Sequence, residues 1–213
     1  RGGAFYVANQ GELVMTGGQI EECYVKPMAP DVSLQAGGGA VYVDDGGRFL
    51  FNGGTINNCL AIGKGGAIYT GIKGKNNTGG YVEMSNATIS GCVAVDSTYD
   101  DYDANAILSK CGQGAAIYCG DESTLKINDG SIIQNNYNNR NGGAVHLRNN
   151  VNFEINGKVT IMDNYNITHS DRYIEFTDYG LEFNASENIT FRKVNANNVF
   201  FNCDVDDLLA VYD

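Results

Sequence analysis

Tryptophan is absent from this 213-residue chain, and proline and histidine occur only twice each. The two histidines, His146 and His169, are far apart in sequence and neither stands in a catalytic or metal-ligating spacing. Cations are also scarce: 14 Lys and Arg face 25 Asp and Glu, for a net charge of -11. An acidic surface repels phosphate backbones, which argues against nucleic acid as a partner. No apolar run approaches the length of a membrane-spanning helix. No leader segment precedes Arg1, which already lies against a repeat motif, so the chain reads as a fragment or a processed product. The six cysteines contain no Cys-x-x-Cys pair, the spacing of zinc ribbons and dithiol redox sites.

What the chain has instead is glycine, 28 residues of it, together with abundant asparagine and 43% hydrophobic residues. That balance suits short strands joined by tight bends and suits long helices poorly. Self-similarity organises it. One block reads Gly-Gly-Ala-apolar-Tyr at residues 2–6, 38–42 and 65–69, with looser copies at 114–118 and 142–146. A second block places an apolar-x-apolar strand ahead of a turn and an anchoring isoleucine. These isoleucines are Ile20, Ile56, Ile89, Ile132 and Ile161, spaced by 36, 33, 43 and 29 residues. The spacing varies while the order of blocks does not, as expected for one coil per repeat with loops of variable length.

Alternation identifies the strands. Leu13/Met15, Phe49/Phe51, Val82/Met84, Leu125/Ile127, Phe153/Ile155 and Leu181/Phe183 sit on one face, with Val14, Leu50, Glu83, Lys126, Glu154 and Glu182 between them. Period two with charge on the other side marks a strand buried on one face. In the first block Phe5/Val7, Val41/Val43, Ile68/Thr70, Ile117/Cys119 and Val145/Leu147 behave alike. One coil cannot bury such a face, but stacked coils make a continuous core. The expected fold is therefore all-β: a right-handed parallel β-helix of about six coils, each of three short strands. Regular coils are expected over 1–165, with degenerate coils or a cap over 166–213.

Three residues after each anchoring isoleucine stand Cys23, Cys59, Cys92, Asn135 and Asn164. Stacked at the ~4.8 Å strand spacing, they predict a Cys/Asn column at one inner corner. The thiols are expected there as small buried groups without reactivity. Cys111 and Cys119 flank one first block and could pair in an oxidising compartment.

The Gly-Gly-Ala-apolar block, as at Gly38-Gly39-Ala40-Val41, Gly65-Gly66-Ala67-Ile68 and Gly142-Gly143-Ala144-Val145, together with Ile132-x-x-Asn135 and Ile161-x-x-Asn164, resembles the paired repeats of chlamydial polymorphic membrane proteins and related adhesin-like β-helix proteins. The resemblance spans residues 1 to 165. Isoleucine stands where that family usually has phenylalanine, and cysteine replaces asparagine in three copies. It implies a pectin-lyase-like β-helix in a cell-surface protein, often adhesive.

Candidate chemistry follows from the same frame. The column Tyr6, Tyr42, Tyr69, Tyr118 and His146 alternates with buried residues and is expected to face outward as a stripe that stacks sugars or anchors a protein. Two other roles stay open for it: neighbour packing along the strands, or burial beneath inserted loops such as 70–80. Asp101, Asp103 and Asn105 match the opening of a calcium loop, but Ala106 and Gly112 break its pattern, so Ca2+ is the sole cofactor candidate. Asp44-Asp45 follows a first-block strand where a polysaccharide-cleaving carboxylate could sit, yet no neighbouring coil repeats the pair. Sequons occur at Asn76, Asn86, Asn166, Asn184 and Asn188. The expectation is a non-catalytic extracellular or cell-surface module for adhesion, scaffolding or filament assembly, with a glycan, a protein or end-to-end copies of itself as partner. The alternative is a carbohydrate-active or carbohydrate-binding β-helix.

Overall fold

A computed structural model describes residues 1–26, 36–71, 78–95, 112–138 and 142–164, and the backbone of 165–166, 190–191 and 199–201. Every described strand pairs in parallel, and strands stack in sequence order on four sheets. The first sheet runs through Phe5–Val7, Val41–Val43, Ile68–Thr70, Ile117–Cys119 and Val145–Leu147 to Val199–Phe201. The second stacks Glu12–Met15, Arg48–Phe51, Tyr81–Met84, Thr124–Ile127 and Asn152–Ile155. The third stacks Gln19–Glu21, Gly54–Asn57, Ala87–Ser90, Ile132–Gln134 and Thr160–Met162, with Thr190–Phe191 added at the end. The fourth stacks Tyr24–Val25, Leu60–Ile62, Val93–Val95, Tyr137–Asn138 and Tyr165–Asn166. The chain is a parallel β-helix.

Two expected counts change. Each coil carries four strands, not three, because a short strand follows the Cys/Asn corner. Five coils have all four strands described, rather than about six. Apart from the two short strands, residues 167–213, and with them the Leu181/Phe183 strand and most of the expected terminal coils or cap, lie outside the described residues.

The core is the stack of inward positions. Phe49, Val82 and Leu125 form one column, with Leu13 half-buried at its start, and Phe51, Met84 and Ile127 form the next. Val41, Ile68, Ile117 and Val145 line the first sheet, all fully buried. Each large apolar side chain packed this way is worth about 1.5–3 kcal/mol relative to exposure. The paired glycines make the sharp corner before that sheet. Gly38 takes φ +68, and a Cβ on Gly39 would sit 2.0 Å from the Gly66 carbonyl oxygen of the next coil. The first glycine therefore supplies the left-handed bend and the second allows the coils to touch.

The isoleucine register needs one correction. Ile20, Ile56, Ile89, Ile133 and Ile161 stack, and Ile132 points outward. The left-handed corner beyond them is occupied by Glu22, Asn58, Gly91, Asn135 and Asp163, with φ between 52 and 63. Asn135 is thus the exposed bend, and Asn136 is the inward residue of the column.

Candidate functional site

Two columns were expected to matter, and the structure rearranges both. The inner corner column is Cys23, Cys59, Cys92, Asn136 and Asn164. Each sulfur lies near the carbonyl two residues earlier: Cys23 to Glu21 at 3.4 Å, Cys59 to Asn57 at 3.3 Å and Cys92 to Ser90 at 3.5 Å. Cys59 and Cys92 also reach the isoleucine carbonyls of the preceding coil, Ile20 at 3.9 Å and Ile56 at 3.8 Å. The asparagines repeat this pattern with Nδ2: Asn136 donates to Ile89 O at 3.3 Å, and Asn164 donates to Ile133 O and Met162 O at 3.0 Å each. Their Oδ1 atoms close the ladder, Asn136 accepting from Cys92 N at 2.9 Å and Asn164 from Asn136 N at 3.1 Å. Cysteine therefore fills an amide's place at a corner whose backbone groups need partners.

Sulfur contacts tune the thiols. The Cys92 thiol beside Cys59 holds the latter down to about 7 against burial, aided by the Cys23 backbone. Burial pushes Cys92 well up. Cys119 faces the core on the first sheet, where burial raises it to about 12. Its thiol is free, and Cys111, its expected partner in an oxidising compartment, lies outside the described residues.

The aromatic column does stack. Ring centroids lie 5.5 Å apart for Tyr6–Tyr42, 4.8 Å for Tyr42–Tyr69, 5.1 Å for Tyr69–Tyr118 and 4.9 Å for Tyr118–His146. It is not an outward stripe. Tyr6 is 44% exposed, whereas Tyr69, Tyr118 and His146 are at most 1% exposed and Tyr42 is also buried. The reason is a strip of backbone running outside the rings just ahead of the Gly-Gly corner, where Gly37, Lys64 and Gln113 bridge one another. A Cβ on Gly37 would stand 2.6 Å from the Tyr69 ring, so glycine there lets the strip lie against it. Lys64 is itself buried, with Nζ 3.3 Å from Tyr118 Oη and 4.8 Å from that ring's centroid. Burial raises the Tyr42 and Tyr118 hydroxyls to about 12. Burial, with the cations of Lys64 and Arg148 behind it, drives His146 down to about 3, so the imidazole stays neutral. As a sugar platform the stripe is excluded beyond Tyr6, and its burial under neighbouring backbone is what holds.

The carboxylates considered for catalysis have structural partners. Asp45 is buried and its Oδ1 accepts from Gly79 N at 3.0 Å and from Thr78 N and Oγ1 at 3.2 Å. Asp44 accepts from the Tyr6 hydroxyl and lies 3.7 Å from the Arg1 guanidinium. The calcium candidates Asp101, Asp103 and Asn105, and His169, lie outside the described residues. Among the described residues, no group of three or more His, Cys, Asp or Glu side chains is arranged to hold a metal ion.

Sequence reading missed a second outward column. Tyr24, Leu60, Val93 and Tyr137 follow directly on the Cys/Asn column and stack in register on the fourth sheet, which the backbone of Tyr165–Asn166 continues. Tyr24 is 45% exposed, Tyr137 37%, and Leu60 and Val93 are half-buried. The signal was present in Asn136-Tyr137-Asn138 and Asn164-Tyr165-Asn166, whose identical triplets align the two coils. Beside this column the third sheet turns Thr55 and Asn57, Thr88 and Ser90, and Ile132 and Gln134 outward. Over the second to fourth coils the described strands of these two sheets carry no charged residue, although the Glu21 carboxylate of the first coil accepts from Asn57 Nδ2 at 3.3 Å. Charge gathers on the second sheet, where Arg48 pairs with Glu12 at 3.6 Å and covers the Tyr81 ring, and Lys126 pairs with Glu154 at 3.0 Å.

Scans against protein-family models, curated proteins and solved structures each return no match. Among the described residues no helix is long and apolar enough to cross a membrane.

Proposed function

We propose that this chain is a non-catalytic β-helix module of an extracellular or cell-surface protein, serving attachment or scaffolding in the manner of the adhesin-like repeat proteins it resembles. The observation that carries this reading is how the described polar groups are used. Asp44, Asp45, the cysteine column and His146 are all bound into corners or stacks. What remains open to a partner is a set of flat sheet faces. Acid–base chemistry needs a titratable group within hydrogen-bond reach of a substrate proton, whereas attachment needs only a rigid face at fixed spacing. A solenoid supplies that rigidity because each coil is held by its neighbours.

The test uses the chain coupled to beads. Adherence to a panel of cell layers is counted against albumin-coated beads, and soluble chain is incubated with a polysaccharide panel while reducing ends and unsaturated uronates are followed. Adherence without cleavage supports the proposal. Cleavage of any polymer at a rate proportional to protein sinks the non-catalytic reading, and adherence no greater than albumin sinks attachment.

A further inference from the structure

We propose that Cys23 and Cys59, stacked on adjoining coils at the inner corner, form a disulfide on exposure to a small-molecule disulfide such as oxidised glutathione, and that this bond staples the first coil to the second. The site stands on geometry. The two residues hold equivalent places in their coils, and backbone hydrogen bonds join the coils on either side of them. Glu22 N donates to Asn57 O at 3.2 Å just before the pair, and Leu60 N donates to Cys23 O at 2.8 Å just after it. The register pairs Ile20–Ile56 and Tyr24–Leu60 bracket the same step. The Cα atoms of the pair are therefore held at the strand spacing of ~4.8 Å, inside the range of about 4.4–6.8 Å that a disulfide spans. Both sulfurs take the same orientation, each against the carbonyl two residues earlier. The two thiols also hydrogen-bond to one another.

Cys59 and Cys92 stack at the same spacing, and access decides between the two pairs. Cys23 is half-buried, whereas Cys59 and Cys92 are fully buried, so of these three an external oxidant reaches Cys23 first. The Cys23 thiol gives its proton to solvent, and its sulfur attacks one sulfur of oxidised glutathione. The S–S bond of the reagent breaks and one glutathione thiolate leaves. The Cys59 sulfur, its proton also lost, then attacks the Cys23 sulfur of this mixed disulfide and expels the second glutathione thiolate. Two protein thiols lose two electrons and two protons, and one glutathione disulfide gains them to become two thiols. Cys59 suits the second step, because the Cys92 thiol holds it down to about 7, close to the ambient pH at which an attacking thiol works best. The bond has a structural consequence. Among the described residues every strand of the first coil is an edge strand, so this coil opens before those with neighbours on both sides. A covalent tie to the second coil opposes that opening. Such bonds persist outside reducing compartments, and the chemistry is independent of what the chain attaches to.

The experiment takes the whole chain, reduced and then freed of reductant, through glutathione buffers of rising oxidised fraction at neutral pH. Samples are quenched in acid and alkylated, and linked peptides are located by mass spectrometry. Circular dichroism confirms that the chain stays folded, and deuterium exchange of the first coil is compared before and after oxidation. The expected result is a transient glutathione adduct on Cys23, followed by a Cys23–Cys59 link with Cys92 still a thiol. Exchange in the first coil should slow in the linked protein, and dithiothreitol should reverse both changes. Cys59→Ser should stop at the Cys23 adduct, whereas Cys92→Ser should still form the link. A link from Cys23 or Cys59 to any other cysteine, no link while the chain is folded, or unchanged first-coil exchange in the linked protein overturns the inference. The native sequence alone decides these outcomes, so a variant that fails to fold leaves the test intact. Bead adherence is read separately, and neither result alters the other.

Discussion

Replacing His146 by phenylalanine should abolish one specific acid sensitivity of this β-helix. The imidazole stacks 4.9 Å from Tyr118 and is 1% exposed. Burial, then Lys64 and Arg148, lower it from 6.5 to about 3. In the unfolded chain it regains its ordinary value, so between pH 6.5 and 3 the unfolded state binds a proton that the folded state refuses. Stability from the neutral imidazole is therefore complete above pH 6.5 and is lost as pH falls through that window. The slope is about 1.4 kcal/mol per pH unit, giving a loss of about 2 kcal/mol between pH 6.5 and 4.5. The many carboxylates also titrate in acid, so the useful quantity is the difference between the native protein and His146→Phe, which share them. Urea unfolding at half-unit pH steps, read by far-ultraviolet circular dichroism, should show the native protein losing about 2 kcal/mol more than the variant across that range. Parallel curves for the two proteins would refute the reasoning, because the histidine would then titrate alike in both states.

Three further outcomes follow from the corners and the thiols. Gly39→Ala should destabilise by at least about 3 kcal/mol or prevent folding, since its Cβ would meet Gly66 O at 2.0 Å; Gly17→Ala, with nothing within 4 Å, should leave the urea midpoint nearly unchanged. Asn164→Ala strands the buried Ile133 and Met162 carbonyls and the Asn136 amide; a loss of about 3 kcal/mol or more is expected in the same assay. Native labelling with a thiol reagent at pH 8, located by peptide mass spectrometry, should modify half-buried Cys23 well before fully buried Cys92 and Cys119; equal rates would contradict the packing.

Much of this fold could be read from spacing. The Gly-Gly-Ala blocks, the Phe49/Phe51-type pairs and the parallel stacking all appear where alternation and repetition put them. The isoleucine slip had a local cause. Residues 131–136 read Ser-Ile-Ile-Gln-Asn-Asn, so two isoleucines and two asparagines fit one slot each, and the motif alone cannot choose. The coil length does choose. Tyr118–His146, Leu125–Phe153 and Ile133–Ile161 are register partners, and Asn136–Asn164 shares their separation of 28 residues. One unequal spacing in an otherwise constant coil was the sign of a one-residue error.

The aromatic column failed for a more general reason. Alternation tells whether a side chain leaves the core, but not what it meets on the other side. Tyr42 and Tyr69 point away from the core as alternation requires, and Tyr69 then meets backbone of the preceding coil, where Gly37 makes room for its ring. That cover runs through segments with no apolar period of their own, so no pattern announces it. Tyr137 obeys the same alternation rule and stays 37% exposed. The useful sign lay in the residues flanking each column. The strip ahead of the buried column has no recurring residue type, its equivalent positions being Gly37, Lys64 and Gln113, whereas a Cys or Asn corner precedes every member of the exposed one. A polar or sulfur corner turns the backbone inward and satisfies it there, leaving the next side chain on the outer surface.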